Sequence, residues 1–274
     1  MKLAVVLNIH DKLDVVRDTI DSIRTFATNK IITIIDGAFW PKLKDEPLEA
    51  AKVEGFYHNV HKAPYRNVAL GLQTLTDTYS DADWYCYTEY DALFASERFK
   101  KNLQIAEQKN VWMMGNDGQV SNEELPLIQA MFKKKFKSSY YLLGSCLFFH
   151  KKFITELRGI DFFNRFLNLT NSFKDGFFPY YRGYDLSEHL YPTICRHMGG
   201  NIGVFAHYDY DGKWHGAYQY FPVRWRPEID PEKENFPDPS IIHPLKSYSH
   251  PVRVFHREKR EKCKILNNKA NQSV

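Results

Sequence analysis

Residues 84–94 read WYCYTEYDALF, and this stretch sets the central problem of the sequence. Nearly every side chain in it is apolar or aromatic, which is typical of a β-strand that is buried on both faces. Glu89 and Asp91 nevertheless stand near its end, two residues apart. Because an ionised carboxylate is costly to bury unless a partner compensates it, we expect these two acids to hold something.

Two earlier stretches have the same apolar character as this strand. Residues 3–9 and 31–35 are short apolar runs, and apolar side chains recur at helical spacing over 13–23 and again over 64–75. An alternation of strand and helix indicates parallel strands joined by crossover helices. The sequence therefore predicts an α/β fold with a mostly parallel central sheet flanked by helices.

The second half of the chain is less regular. We predict strands in three places, at 111–115, 140–149 and 201–205. Residues 187–198 have helical character, although Pro192 is expected to kink or shorten that helix. The dipeptide Asp211-Gly212 predicts the turn of a β-hairpin.

Proline changes the character of the chain from about residue 227. Six prolines fall between there and residue 251, so no helix is expected in this part. We divide the chain into an α/β domain over 1–226, a proline-rich segment over 227–256 packed on it, and a tail over 257–274. The tail is polar and basic, which is the composition of a disordered segment.

Composition excludes several classes of protein. A net charge of +4 over 274 residues is too weak to indicate a nucleic-acid partner but is compatible with an anionic ligand. No apolar run approaches the roughly 20 residues of a transmembrane helix. The four cysteines form no close pair, and their mostly apolar surroundings favour free thiols in a reducing compartment. We therefore predict a cytoplasmic protein, with a peripheral position at a membrane left open.

The spacing of Glu89 and Asp91 suits a divalent cation. Side chains two residues apart on a strand point to the same face, and hard cations take oxygen ligands. The alternative from spacing alone is a pair of structural acids that cap or salt-bridge the end of the strand. Ligands of open parallel sheets bind beyond the carboxyl ends of the strands, where Asp36 also stands.

Several motifs, in this order, resemble those of GT-A fold glycosyltransferases, in particular the family-2-like members that use nucleotide sugars. TEYDALF resembles their D-x-D metal-binding element, with Glu89 in the first acid position. LAVVLNIH and IITIIDG resemble the opening nucleotide-binding unit, and KAPYRNVALGL resembles the A-R-N-x-G-L element. LLGSCLFFHKKF resembles a later strand that carries acceptor contacts. The resemblance covers much of the first 205 residues and implies a GT-A-like, Rossmann-like sheet.

The resemblance also implies roles for individual residues. Glu89 and Asp91 would bind Mn²⁺ or Mg²⁺. The nucleotide-diphosphate sugar would meet residues at the ends of the first two strands and in the A-R-N-x-G-L element, which are Asn8, His10, Asp36, Arg66 and Asn67.

DLSEHLYPTICRHMGGNIG, residues 185–203, resembles the E-D-x-x-L…G element of inverting members. The acid of that element takes the proton of the acceptor hydroxyl, and this role falls to Glu188 or to its competitor Asp185. The sequence departs from the element because His189 follows the acid and Pro192 interrupts the helix. The alternative is that these acids cap the start of a helix.

His243 and Lys246 stand in SIIHPLKSY, residues 240–248. A histidine beyond the last core elements is an additional metal ligand in some GT-A enzymes, and an imidazole ligand favours Mn²⁺ over Mg²⁺. Lys246 would then meet the diphosphate as a point charge. The alternative for His243 is a solvated histidine in a loop.

The sequence as a whole predicts a metal-dependent, inverting glycosyltransferase. It would move a sugar from a nucleotide-diphosphate donor, UDP- or GDP-linked, to a hydroxyl of a glycan or lipid-linked acceptor. Three alternatives remain: a non-catalytic module that binds nucleotide or glycan on a transferase scaffold, a nucleotidyltransferase, and an interaction protein with structural acids. The loop NIHDKLD after the first strand has no glycine, which argues against a nucleotidyltransferase.

Overall fold

The structure, a computed structural model, describes most of the chain, namely residues 1–57, 64–115, 118–121, 132–133, 136, 138–142, 146–171, 186–204, 207–208, 214–215, 223–225 and 240–271. The strands within these residues are β1 (Leu3–Ile9), β2 (Ile31–Ile35), β3 (Ala51–Glu54), β4 (Trp84–Glu89), β5 (Leu93–Phe94), β6 (Val111–Gly115), β7 (Gly118–Ser121), β8 (Ser139–Leu142), β9 (Cys146–His150), β10 (Asn201–Val204), β11 (His207–Tyr208), β12 (Trp214–His215), β13 (Val223–Trp225) and β14 (Ile241–His243). The helices are α1 (Leu13–Phe26), α2 (Trp40–Leu43), α3 (Pro64–Thr78), α4 (Phe99–Gln108), α5 (Lys151–Gly159), α6 (Phe162–Asn171), α7 (Leu186–His197) and α8 (Pro251–Asn271).

Seven strands form the central sheet, in the order β10-β6-β9-β4-β1-β2-β3. Strand β9 runs antiparallel to its neighbours β4 and β6, whereas the other neighbouring pairs are parallel. The predicted fold class, an α/β fold with a mostly parallel sheet flanked by helices, is confirmed. The strands predicted at 111–115 and 201–205 correspond to β6 and β10.

Helices cover both faces of this sheet. Val6 points to the face that packs against α3, α5, α6 and α7, and its neighbour Val5 points to the face that packs against α1 and α4. Both side chains are fully buried. Burial on both faces explains why the central strands are apolar without interruption rather than alternating with polar residues.

A glycine allows α3 to lie close to the centre of the sheet. A Cβ atom at Gly71 would stand 2.9 Å from Cγ2 of Val6 and 3.2 Å from Cγ1 of Ile34. Both contacts are to branched side chains of buried strands, which have little freedom to move away. The close packing of α3 on β1 and β2 therefore depends on the missing side chain.

We expect Gly71→Ala to destabilise the protein by about 1–3 kcal/mol, because the added methyl group overpacks this contact. The matched control is Gly159→Ala at the end of α5, where a Cβ atom would meet nothing within 4 Å. Urea unfolding of the two variants measures the difference. If Gly71→Ala and Gly159→Ala are equally stable, α3 can move away from β1 and β2 without a loss of stability.

A small three-stranded sheet brings a late part of the chain to the end of β4. Strand β14 pairs antiparallel with β5 through Ile241 and Ile242, and pairs parallel with β13 on its other side. Two further backbone hydrogen bonds extend the first pairing, since the N–H of Ala95 donates to Ser240 (2.8 Å) and that of Leu245 donates to Asp91 (2.8 Å).

The C-terminal helix α8 overturns part of the sequence analysis. No helix was expected over 227–256 and a disordered tail was expected over 257–274, yet Pro251–Asn271 is helical. Pro251 opens the helix, where its missing N–H costs nothing because the first N–H groups of a helix have no partner within it. The division of the chain at residues 226 and 256 stays a prediction.

Helix α8 is fixed to α1 by buried ion pairs. Nη1 of Arg253 lies 2.6 Å from Oδ2 of Asp18, and Nη2 of Arg260 pairs with the other oxygen of the same carboxylate. Nε of Arg260 lies 3.0 Å from Oδ2 of Asp21. Both guanidinium groups are fully buried, which proteins tolerate only where such charges are paired.

Two local predictions need correction. The helix predicted over 187–198 is present as α7, but Pro192 does not shorten it, because its neighbours Tyr191 and Ile194 are buried in the core and this packing outweighs the hydrogen bond that proline cannot donate to the carbonyl of Glu188. The single strand predicted over 140–149 is two strands in different sheets, β8 paired with β7 and β9 in the central sheet.

The predicted hairpin turn at 211–212 lies outside the described residues, although the flanking strands β11 and β12 do pair antiparallel. Within the described ranges, none of the helices combines the length and the apolarity that a membrane crossing needs.

Candidate metal centre at the carboxyl edge of the sheet

The carboxyl ends of β1, β2 and β4 meet at one edge of the central sheet. Asn8 stands opposite Glu89 on one side and opposite Ile34 on the other. Because partners in a parallel register point to the same face, Asn8 and Glu89 share the face that carries α3 and α7. The N–H of Tyr90 donates a hydrogen bond of ordinary length (3.0 Å) to the carbonyl of Asn8. This bond ties the turn after β4 to the end of β1.

Two helices begin at this same edge. Helix α3 follows the parallel strand β3, and α7 precedes the parallel strand β10, so both helices run back across the sheet. Their first turns carry Arg66 and Asn67 on α3 and Glu188 on α7. The topology therefore places these predicted site residues on the side of the sheet where the acids of β4 stand.

Three side chains converge just beyond β4. Nε2 of His243 lies 3.1 Å from Oε2 of Glu89 and 3.0 Å from Oδ1 of Asp91. One ligand atom from each residue lies within 4.8 Å of the others, and this is the group in the described part of the chain that could hold a metal ion. The structure thus brings together the three residues that the sequence predicted as metal ligands.

The cluster is buried on one side and open on the other. The side chains of Asp91 and His243 are 3% and 6% exposed, whereas that of Glu89 is 35% exposed. A ligand can therefore approach the cluster past Glu89. Asp91 and His243 form its enclosed floor.

Without a metal, the three groups compensate one another as an ion cluster. Burial alone would lower the pKa of His243, but its hydrogen bonds to Asp91 and Glu89 and their negative charges raise that pKa to about 9. Burial works to raise the pKa of Asp91, but the hydrogen bond and charge of His243 and the charge of Lys246 bring it below its usual value. The imidazolium form of His243 therefore neutralises part of the acidic charge at neutral pH.

The two carboxylates and the imidazole are arranged better for binding a divalent cation than for sharing a proton. Nε2 of His243 lies 3.0 Å from the buried Oδ1 of Asp91 and 3.1 Å from Oε2 of Glu89. The single proton on Nε2 of His243 cannot point at both carboxylates, whereas a cation accepts lone pairs from two oxygens and a nitrogen at once. Two carboxylates with one imidazole suit a transition ion such as Mn²⁺.

The predicted nucleoside contact at Asp36 is enclosed. Its Oδ1 accepts a hydrogen bond from the N–H of Ala38 (2.8 Å), and its Oδ2 lies 3.6 Å from Nδ1 of His10. The Asp36 side chain is fully buried, whereas that of His10 is 26% exposed. Nε2 of His10 lies 3.4 Å from Nδ2 of Asn8, and its ring meets Tyr90 edge-on. At the surface of the site it is therefore His10 that a ligand meets first.

The residues at the start of α3 have different surroundings. Asn67 is fully buried, and its Oδ1 accepts a hydrogen bond from the N–H of Phe56 (2.8 Å), which fixes the loop after β3. The guanidinium of Arg66 lies 3.7 Å from the centre of the Phe56 ring and is half-buried. Asn67 thus supports the loop, and Arg66 lies across it.

Lys246 is exposed, and its charge acts on Asp91. Its carbonyl accepts a hydrogen bond from Nζ of Lys12 (2.9 Å), which joins the loop after β1 to the loop after β14. A second lysine therefore contacts the loop that carries Lys246. Lys12 carries no motif, so the sequence does not single it out.

The base remains a prediction. Glu188 is half-buried in the first turn of α7, at the edge described above. Its competitor Asp185 lies outside the described residues, as do residues 143–145 of the predicted acceptor strand.

The comparisons with known proteins concern solved structures. No protein-family model matches the sequence, and the search of curated proteins found no match. The chain is similar to a glycosyltransferase involved in the glycosylation of the major capsid of PBCV-1, at 11% identity and a TM-score of 0.41, with 96% of this chain and 100% of that chain covered.

It is also similar to 4-diphosphocytidyl-2C-methyl-D-erythritol synthase from Anaerococcus prevotii, at 13% identity and a TM-score of 0.41, over 78% of this chain and 92% of that one. The bifunctional IspDF from Campylobacter jejuni is similar at 8% identity and a TM-score of 0.40, over 78% of this chain and 52% of that one. At these TM-scores the similarities assign no function to this chain.

When a chelator keeps the protein free of metal, its free energy of unfolding should fall as the pH rises from 6.5 to 9. The pKa of His243, about 9 in the folded state, exceeds its unfolded value near 6.5, so its stabilising effect is complete below pH 6.5 and is lost above pH 9. We expect a loss on the order of 1–3 kcal/mol, measured by urea unfolding at pH 6 and pH 9.5.

The variant His243→Gln should lack this loss, and the exposed His197→Gln should retain it. If the wild-type protein and His243→Gln show the same dependence of stability on pH, the imidazolium of His243 does not cause the loss.

Proposed function

We propose that the protein is a metal-dependent glycosyltransferase that moves a sugar from a nucleoside-diphosphate donor to a hydroxyl acceptor. The observation that carries this proposal is the convergence of Glu89, Asp91 and His243 at the carboxyl edge of a parallel sheet. Ligands of such sheets bind at that edge, and two carboxylates with an imidazole match the ligand preferences of Mn²⁺. The resemblance of TEYDALF to the D-x-D element supports the same reading.

The charges around the cluster suit a diphosphate. A divalent cation held there would neutralise the negative charge that develops on the leaving nucleoside diphosphate. Lys246 adds a positive charge that acts on Asp91, and Nζ of Lys12 lies 2.9 Å from the carbonyl of Lys246. Arg66 stands at the start of α3, where the backbone N–H groups also favour anions. His10 is partly exposed after the end of β1, and its Nε2 lies 3.4 Å from Nδ2 of the buried Asn8. UDP and GDP are the nucleotides that we would test first.

We assign the base to Glu188, with Asp185 as the alternative. A carboxylate at the start of α7 would take the proton from the acceptor hydroxyl as its oxygen attacks the anomeric carbon. Attack from the face opposite the leaving diphosphate inverts the configuration of that carbon. The acceptor in this proposal is a glycan or a lipid-linked sugar, because both offer hydroxyl nucleophiles.

The first test is thermal unfolding with UDP, GDP, CDP and dTDP, each with and without Mn²⁺. A ligand at 100 times its Kd adds about 2.7 kcal/mol of stability, and in a chain of this size each kcal/mol raises Tm by roughly 2–4 °C. We expect one nucleotide to raise Tm only when Mn²⁺ is present. Asp91→Asn should abolish that shift, because it removes a buried metal ligand.

Glu97→Gln is the matched control, since Glu97 is an exposed acid that pairs with Lys100 away from the cluster. If a nucleotide raises Tm by the same amount with Mn²⁺ and with a chelator, the protein is a binding module that needs no metal. If no nucleotide shifts Tm in the wild-type protein, Glu89 and Asp91 are structural. Release of pyrophosphate from a nucleoside triphosphate would identify a nucleotidyltransferase instead.

Glu188→Gln separates catalysis from binding. If Glu188 is the base, the variant should lose about 10²–10⁴-fold in the rate of sugar transfer and keep the metal-dependent Tm shift. Nucleotide release from the donor sugar measures the rate. The exposed acid Glu156, replaced by glutamine, should leave the rate unchanged. If Glu188→Gln keeps full activity, Glu188 is not the base and Asp185 becomes the candidate.

A further inference from the structure

The candidate metal centre is assembled from two segments that are far apart in the chain. Glu89 and Asp91 flank Tyr90 at the end of β4, and His243 closes β14. Ligands of a metal must be held to within about 0.5 Å of their working positions by groups outside the first coordination shell. Two short strands, β5 and β14, join these segments through the pairing of Ile241 and Ile242 with β5.

Arg253 of helix α8 makes contact with both segments. Its Nε donates a hydrogen bond to the carbonyl of Leu245 (3.0 Å), two residues beyond His243. Its Nη2 donates to Oγ1 of Thr19 (3.0 Å), and that hydroxyl donates in turn to the carbonyl of Tyr90 (2.6 Å). One guanidinium therefore fixes the backbone on each side of the cluster.

The guanidinium itself is held rigidly. Nη1 of Arg253 lies 2.6 Å from Oδ2 of Asp18, and the side chain is fully buried. The N–H of Leu245 also donates to the carbonyl of Asp91 (2.8 Å), so the residue that accepts from Arg253 is bonded directly to a ligand residue. An arginine suits this position because its planar fork offers donors in fixed directions, which lysine does not.

We propose that Arg253 is a positioning residue for the metal centre. It sets the separation between the segment of Glu89 and Asp91 and the segment of His243, and it acts through the backbone without touching the ion. This role rests on the proposed metal site. Groups that orient metal ligands in this way typically change metal affinity 10–100-fold when they are replaced.

Arg260 provides a natural control. It lies on the same helix, is equally buried and shares the carboxylate of Asp18, but its hydrogen bonds go to Asp18 and Asp21 on α1. A variant at Arg260 therefore loosens α8 without removing a contact to either metal-binding segment.

The test measures the Kd of Mn²⁺ by electron paramagnetic resonance, which detects the free ion and requires no substrate. We expect Arg253→Met and Arg253→Lys to raise the Kd of Mn²⁺ 10–100-fold. Arg260→Met should change the Kd of Mn²⁺ less than 2-fold, although it should lower Tm about as much as Arg253→Met does. Circular dichroism confirms that each variant is folded at the temperature of the titration.

A second pair of variants keeps every charge in place. Thr19→Val removes the hydroxyl that links Arg253 to Tyr90, and Thr170→Val removes an equally buried helical hydroxyl on α6 that donates to the carbonyl of Phe166. We expect Thr19→Val to weaken Mn²⁺ binding and Thr170→Val to leave it unchanged. This pair decides the question if Arg253→Met does not fold.

The proposal is overturned if the Arg253 and Thr19 variants bind Mn²⁺ as tightly as the wild-type protein. It is also overturned if Arg260→Met weakens binding as much as Arg253→Met, because the effect would then be a general loosening of α8. Absence of Mn²⁺ binding by the wild-type protein would instead remove the metal site, and the proposed function with it.

Discussion

The carboxylate of Asp91 is the constraint on which this structure depends. Its side chain is only 3% exposed, and a buried charge of that kind must be compensated. The compensating group is His243, which lies 154 residues beyond Glu89, its other carboxylate partner. Bringing that imidazole into place requires the chain to return and pair β14 with β5. The ion pairs between α8 and Asp18 then hold the returning segment against α1.

The central sheet supplies a rigid platform for this arrangement. Strands β1, β2 and β4 are buried on both faces along most of their length, so polar groups are placed at their carboxyl ends, where the site opens. Asn8, His10 and Asp36 occupy two of these ends and Glu89 the third. Parallel pairing brings the three ends to the same edge, and crossover helices add Arg66 and Glu188 from the same side of the sheet. The candidate ligands Glu89 and Asp91, the basic Arg66 and the proposed base thus share one edge because of strand direction.

Prediction succeeded where burial leaves a local pattern and failed where it does not. The strands β1, β2 and β4 are recognisable because burial on both faces requires continuous apolar runs. Helix α8 was missed because the prolines that precede it suggested irregular structure, although Pro251 is well suited to a first helical turn. The pairing of β5 with β14 leaves no readable signal, since strands of two and three residues are too short to show a period. Arg253 escaped notice because an isolated arginine in a sequence is expected at the surface.

The sequence by itself determined the fold class, because strand periodicity is a local property. It also named Glu89 and Asp91 as a pair from their spacing, and the resemblance added His243 to them. Only the tertiary structure decided that these three side chains meet, that Asp36 is enclosed behind His10, and that a buried arginine spans the two segments of the site. Those outcomes depend on distances between residues far apart in the chain. Such distances result from the packing of whole helices and strands, and no short stretch of sequence encodes them.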